Sequence, residues 1–347
     1  MTDEQRPVVA DVRGLEVHFP VWRNGRRMVA RAVDGVDLVL HEREIVALVG
    51  ESGCGKTTIA RTVMRLENAT AGTVHIDGVE VTRLSGARLR RLRDRFQMIF
   101  QDPFDSLPAN ATALEVIEDG LRIHRRDLSA SDRKRAALDA LASCGLNPPE
   151  RFANRRVFQL SGGQRQRVAI AAVLVLEPRL IVADEPVSML DVSLRAGVIR
   201  LLLDLRERTG NATLFITHDL ALAGVFADRV AVLYLGKIVE EGPAAAVIGA
   251  PAHPYTRALV DVMPVPEGMR DGPRSILTGD TPSATEVPVG CRFAPRCPLF
   301  RQLGEPARCR SEQPELEPVT GDIRHRIACH FSARGDDRPL SAEREST

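Results

Sequence analysis

Continuous apolar runs that end abruptly in polar or glycine-rich residues set the rhythm of this chain. Residues 44–50 (EIVALVG) predict a buried strand that enters a glycine-rich turn, and residues 57–66, apolar at helical spacing, predict the helix that leaves it. Apolar alternation around residues 73–76, a turn at Asp77-Gly78 and a further short run predict antiparallel strands beside that unit. Residues 113–153 mix charged and apolar positions at helical spacing and predict a mainly helical segment with a stop near Pro148-Pro149. Residues 180–183 and 213–217 predict two more buried strands, each ending in polar residues where a parallel sheet exposes its ligand-binding carboxyl edge. Residues 230–239 predict a hairpin turning at Gly236-Lys237, and beyond Gly242 proline and glycine become frequent, which places a boundary near Pro251. Residues 334–347 are polar and predict a disordered tail. The pattern is that of an α/β fold.

Composition changes this picture little. With 347 residues, 44% apolar and 27% charged, the chain fits one large globular domain and a smaller one. A net charge of +1 offers no global attraction for nucleic acid, and the basic run at residues 88–95 (RLRRLRDR) reads as a solvated helix face, because Asp94 breaks it and no aromatic residues interleave. The opening MTDEQRPVV lacks a cationic head followed by an apolar stretch, and the longest apolar run, residues 168–176, is too short to span a bilayer. A cytoplasmic protein is expected, whose six cysteines form no disulfide framework.

Residues 50–57 (GESGCGKT) fit the phosphate-binding loop. In that pattern the amides of Gly50, Glu51, Ser52, Gly53, Cys54 and Gly55 and the following helix N-terminus, with Thr58, cradle phosphates, Lys56 neutralises them and Thr57 holds magnesium. Lysine occurs only at positions 56, 134 and 237, so its place inside the loop is informative: a compact ammonium enters a phosphate cage that a planar guanidinium would not fit. Cys54 reads as inert packing. Residues 180–186 (LIVADEP) put Asp184 and Glu185 at the end of a buried strand, suited to a magnesium shell and to polarising a water.

Residues 160–164 (LSGGQ) carry the signature of the ATP-binding-cassette (ABC) ATPases, and the chain resembles that family over about residues 10–250. The resemblance implies a P-loop NTPase of RecA-like core with an antiparallel β subdomain and a helical subdomain at about residues 102–165, and ATP and Mg2+ as cofactors. It implies that Ser161, Gly162, Gly163 and Gln164 open a helix onto the phosphates of a second unit's ATP, since the loop and the signature of one chain do not close on the same nucleotide. His218 (FITHD) resembles the switch histidine at the terminal phosphate, and Gln101 (IFQDP) the loop glutamine that senses magnesium and water and faces the membrane subunits. Residues 188–191 (SMLD) resemble the loop that crosses the dimer interface. Phe19 is the candidate for the aromatic that stacks on adenine, with Trp22 as its rival, because residues 24–31 look inserted; plain core packing suits both. Two departures from the family stand out: Met189 where alanine is usual, and Leu107-Pro108 where Asn-Pro is usual.

After the cassette, residues 253–256 (HPYT), 290–298 (GCRFAPRCP) and 328–330 (ACH) resemble the C-terminal extension of oligopeptide, dipeptide and nickel importer ATPases, here residues 251–333. That implies ATP-driven import of peptides, or of nickel or another small solute, from the cytoplasmic face of the membrane. The implied partners are a non-identical second ATPase subunit, two transmembrane permease subunits and an extracytoplasmic substrate-binding protein. A soluble ABC ATPase of translation or DNA repair is the rival class, for which a tandem cassette or a DNA-binding zinc insertion is expected. Cys291, Cys297, Cys309 and Cys329 suit an iron–sulfur cluster, zinc or free thiols; the absence of any CxxC pair argues against an ordinary zinc ribbon, and relatives with this pattern hold a 4Fe-4S cluster. Cys144 lies outside the set and reads as buried packing.

Overall fold

The computed structural model describes residues 6–23, 25–102, 107–188, 190, 192–263, 279, 282–319 and 321–331. Met189, Asp191 and the tail at 334–347 lie outside the described residues. Two sheets organise the chain. The smaller has four antiparallel strands in the order β2-β1-β4-β5, formed by β1 (Val8–Arg23), β2 (Arg26–His41), β4 (Ala71–Ile76) and β5 (Val79–Glu80). The larger has eight strands in the order β11-β12-β10-β9-β3-β8-β7-β6. Its members are β3 (Ile45–Val49), β6 (Phe96–Ile99), β7 (Leu180–Asp184), β8 (Ala212–Thr217), β9 (Arg229–Tyr234), β10 (Lys237–Pro243), β11 (Glu317–Val319) and β12 (Asp322–Ile327).

The centre of the larger sheet is parallel, with β3 between β9 and β8, and β7 between β8 and β6. Every residue of β3, β7 and β8 is buried, which is why these strands read as unbroken apolar runs: helices and the second sheet cover both faces. One core joins the two sheets around Val46, Leu48, Ile59, Leu214 and Leu233, and a second packs the helical subdomain onto the opposite face through Ile181, Ala183 and Phe215.

The apparent insertion at residues 24–31 is the tip of a long hairpin. β1 and β2 pair from Val8↔His41 to Arg23↔Arg26, so most of that segment lies in β2, a length invisible to local alternation because bulges shift the register four times. Pro148-Pro149 does not simply stop the helical segment. Helices Ala113–His124 and Ala130–Ser143 precede it, and Pro149 starts a further one, Pro149–Ala153, because a first-turn proline loses no hydrogen bond. The β9–β10 hairpin turns at Leu235-Gly236, one residue earlier than expected, with both residues at positive φ. In the basic run, Arg88, Arg90 and Arg91 are exposed, whereas Arg93 donates to the carbonyls of Met64 and Arg65.

Beyond Pro251 the chain returns to the cassette. β12 pairs with β10 (Glu240↔Ile327, Glu241↔Arg326), so the larger sheet continues into the C-terminal extension. Phe293 packs edge-on to Tyr234 of β9 at 5.2 Å and against Tyr255 at 5.4 Å, in a core shared by cassette and extension. The Phe293→Ala change should therefore lower the stability of the whole chain by about 3–5 kcal/mol. Denaturant unfolding followed by fluorescence and circular dichroism should still give one coincident transition.

Candidate active site

The loop at residues 50–57 leaves the carboxyl end of β3 and feeds the helix Lys56–Val63. Its glycines are required by the close approach of two backbones. A Cβ on Gly50 would stand 2.3 Å from the Leu233 carbonyl oxygen, and one on Gly55, at φ 111°, 2.2 Å from the Ala32 carbonyl oxygen. Lys56, 5% exposed, donates from Nζ to the carbonyls of Gly50 (2.8 Å) and Glu51 (2.9 Å). Cys54 is buried, and burial pushes its thiol up despite the neighbouring ammonium.

The two carboxylates at the end of β7 have different surroundings. Asp184 is buried and accepts from Thr57 Oγ1 at 3.2 Å. Burial raises its carboxyl above the ordinary range, the Thr57 hydroxyl opposes this, and the Glu185 charge adds to the rise. A magnesium ion at this position would reverse that preference. Glu185 sits at φ 44°, a conformation that costs a non-glycine residue about 1–3 kcal/mol. It is held there because its N–H donates to the Ile216 carbonyl at 3.0 Å and its carbonyl accepts from Ser188 Oγ at 3.0 Å. Its side chain is bracketed: Gln101 Nε2 donates to one oxygen at 3.2 Å and His218 Nδ1 stands 3.3 Å from the other. His218 and Gln101 are exposed and Glu185 half-buried, so the carboxylate faces solvent between them.

Ser161 caps the helix Gly162–Leu174 with a reciprocal capping box. The Gln164 N–H donates to Ser161 Oγ, and the Ser161 N–H donates to Gln164 Oε1. Gly163 lies where a Cβ would meet Leu194 at 2.6 Å, which keeps the opening turn bare. Ser161 is exposed, and Leu160 before it packs into the core beside the helices at residues 113–153. Phe19 is half-buried against the core between the sheets, and Trp22 is 75% exposed near the hairpin tip.

Two contacts of the loop escape local pattern reading. The Glu51 N–H donates to the Tyr255 hydroxyl at 3.0 Å, and the Glu51 carboxylate receives both terminal nitrogens of Arg296, at 2.8 and 3.2 Å. Both partners fall inside recognisable C-terminal motifs, HPYT and GCRFAPRCP, yet nothing local to those motifs points to the loop.

Cys291, Cys297, Cys309 and Cys329 line one recess walled by Phe293, Leu299, Phe300 and Phe331. Burial pushes the thiol of Cys291 up to about 12 and that of Cys309 to about 11. They are not drawn to single-ion spacing. Among the described residues, a set of donors within 4.8 Å of one another occurs at Glu16, His18 and Asp34 and not at the cysteines. Burial likewise raises the Cys144 thiol to about 12, apart from this set.

A lysine-bearing phosphate loop on a parallel strand, paired carboxylates at the end of another parallel strand of the same sheet and a serine-capped SGGQ helix together define an ATP-binding cassette, an ATPase that works with ATP and Mg2+. Residues 33–188 match the ABC transporter family, and residues 239–302 match the oligopeptide/dipeptide transporter C-terminal region. The chain is similar to the oligopeptide transport ATP-binding protein OppF of Salmonella typhimurium, 40% identical over 335 residues that cover 94% of this chain and 97% of that protein. It is similar to the oligopeptide transport ATP-binding protein AppF of Bacillus subtilis, 39% identical over 338 residues covering 95% and 99%. The dimeric post-hydrolysis structure of the ATP-binding cassette MJ0796, bound to ADP and Pi, superposes with a TM-score of 0.61 at 32% identity, over 68% of this chain and 98% of that one. The chain belongs to the ATP-binding subunits of the oligopeptide/dipeptide ABC transporter family.

Because Gly55 meets the Ala32 backbone, Gly55→Ala should distort the loop. Its dissociation constant for a fluorescent ATP analogue with Mg2+ should rise at least about tenfold while the circular dichroism spectrum stays unchanged.

Proposed function

We propose that this chain hydrolyses ATP to energise import of peptides across the cytoplasmic membrane, bound at its cytoplasmic face to two permease subunits supplied by an extracytoplasmic binding protein. The observation that carries this reading is one chain matching both the ABC transporter family and the oligopeptide/dipeptide transporter C-terminal region, and aligning with OppF over 97% of that protein. In this reading residues 50–58 hold the phosphates, with Lys56 as the charge, and Thr57, Asp184 and Gln101 order the magnesium shell. Glu185 polarises the attacking water and His218 contacts the terminal phosphate. The bracketing of Glu185 by Gln101 and His218 supports these roles, since it aims the carboxylate before substrate arrives. Phe19 is the adenine-stacking candidate, for which its partial exposure leaves a free face.

Ser161, Gly162, Gly163 and Gln164 would complete the site of a second, non-identical ATPase subunit. The exposure of Ser161, with Gly162 and Gln164 half-buried at the opening of their helix, supports a site shared between subunits. A groove of about 310 Å3 between the sheet and the helical subdomain, lined by Phe100, Leu107, Val116, Ile123, Ala172 and Leu176, suits the permease contact. Phe100 and Ile123 are 40% and 52% exposed there, apolar area that a partner would cover. No helix among the described residues is long and apolar enough to cross a membrane, so attachment runs through such partners.

The four cysteines would hold a 4Fe-4S cluster. Four thiolates on one zinc ion at about 2.3 Å stand about 3.8 Å apart, whereas no three of these sulfurs lie within 4.8 Å of one another; a cubane carries its thiolates on separated corners. Thiols raised by burial need a metal to deprotonate them, and the cluster would supply that charge. Its contribution would be structural, tying the ends of the extension together.

Two outcomes are expected. In the assembled transporter, Glu185→Gln should bind ATP normally yet lose at least about a hundredfold in kcat, whereas Lys56→Ala should lose nucleotide binding itself; normal turnover by the glutamine variant would remove Glu185 as the base. Anaerobically purified wild-type chain should contain iron and absorb in the visible, and Cys297→Ser should lose most of both. Iron retained in full would remove Cys297 as a ligand.

A further inference from the structure

The segment between the first two cysteines carries two arginines, and both reach away from the thiol recess toward the nucleotide loop. Arg292, 4% exposed, donates to Asp34 and to the Leu235 carbonyl. The adjoining Gly236 N–H donates to the Cys54 carbonyl at 2.9 Å, so this turn buttresses one side of the loop. Arg296, 8% exposed, forks onto Glu51 with bonds of 2.8 and 3.2 Å on the other side. Tyr255, fully buried, accepts from the Glu51 N–H at 3.0 Å. A paired guanidinium fork fixes direction as well as charge, which an ammonium does not.

Glu51 is an anion in a loop built to receive polyphosphate. Without Arg296 its carboxylate would repel the ligand, and without Tyr255 its backbone would lose an anchor. We propose that Arg296 and Tyr255 are positioning residues of the phosphate loop, neutralising Glu51 and holding its backbone, so that the C-terminal extension sets nucleotide affinity. Arg296 adjoins Cys297 and Arg292 adjoins Cys291, which puts the thiol recess one residue from each buttress. The proposal rests on residues 50–57 being the polyphosphate cradle.

The test is titration of the purified full chain with a fluorescent ATP analogue in the presence of Mg2+. Arg296→Gln should weaken binding about tenfold, Arg296→Lys about threefold, and Tyr255→Phe about threefold. Because the defect comes from a carboxylate left without its counter-ion, adding Glu51→Gln to Arg296→Gln should restore affinity to within about threefold of wild type, a rescue that a purely structural arginine would not permit. An Arg296→Gln constant within about twofold of wild type, or a double variant no tighter than Arg296→Gln alone, overturns the proposal. Should Arg296→Gln fail to fold, Tyr255→Phe decides, and a constant within about twofold of wild type overturns the proposal equally. Wild-type chain that binds no nucleotide would overturn the cradle reading and the proposal together, whereas normal wild-type binding with insensitive variants overturns the proposal alone.

Discussion

Two carbonyl oxygens, from Leu233 and Ala32, press so closely on the phosphate loop that Gly50 and Gly55 have no room for a Cβ. Leu233 belongs to the larger sheet and Ala32 to the smaller, antiparallel one, so the loop is where the two sheets meet. That confinement turns a glycine-rich turn, flexible in isolation, into a defined cavity edge. The Lys56 ammonium completes it by bonding back to the carbonyls of Gly50 and Glu51. Displacing either sheet would move the loop, and the larger sheet also carries Asp184 and Glu185 at the end of β7.

The site therefore inherits its geometry from strand order. β3 and β8 are neighbours and β8 lies beside β7, so the phosphate loop, His218 and the carboxylate pair emerge along one edge. Glu185 occupies its unfavourable backbone conformation because β8 supplies a carbonyl to its N–H, and the same strand delivers His218 to its side chain. Strain at one residue is thus held by bonds from a neighbouring strand, the arrangement expected where a side chain must be aimed rather than merely packed.

The extension reaches the same edge from another direction. By pairing β12 to β10 and packing Phe293 edge-on to Tyr234, it becomes part of the core and delivers Tyr255 and Arg296 to Glu51. The aromatic cluster gives those two polar contacts a rigid platform, and burial strengthens a guanidinium–carboxylate fork relative to its worth in water. The thiol recess shares Phe293 with that platform.

Much of this was legible along the chain. The buried strands, the loop and its helix are local, since unbroken apolar runs, glycines at fixed offsets and a serine cap follow from the chemistry of adjacent residues. The full hairpin was not, because its bulges destroy the period-two signal, nor was the role of Pro149, which depends on where the preceding helices end. The Arg296–Glu51 fork joins residues 245 positions apart and leaves no periodic trace. The sequence by itself determined the buried strands, the glycine-rich loop with its helix and the serine cap. Only the tertiary structure decided what presses on the loop, what brackets Glu185 and how the cysteine segment touches the nucleotide site, because those contacts exist only once distant strands share a sheet.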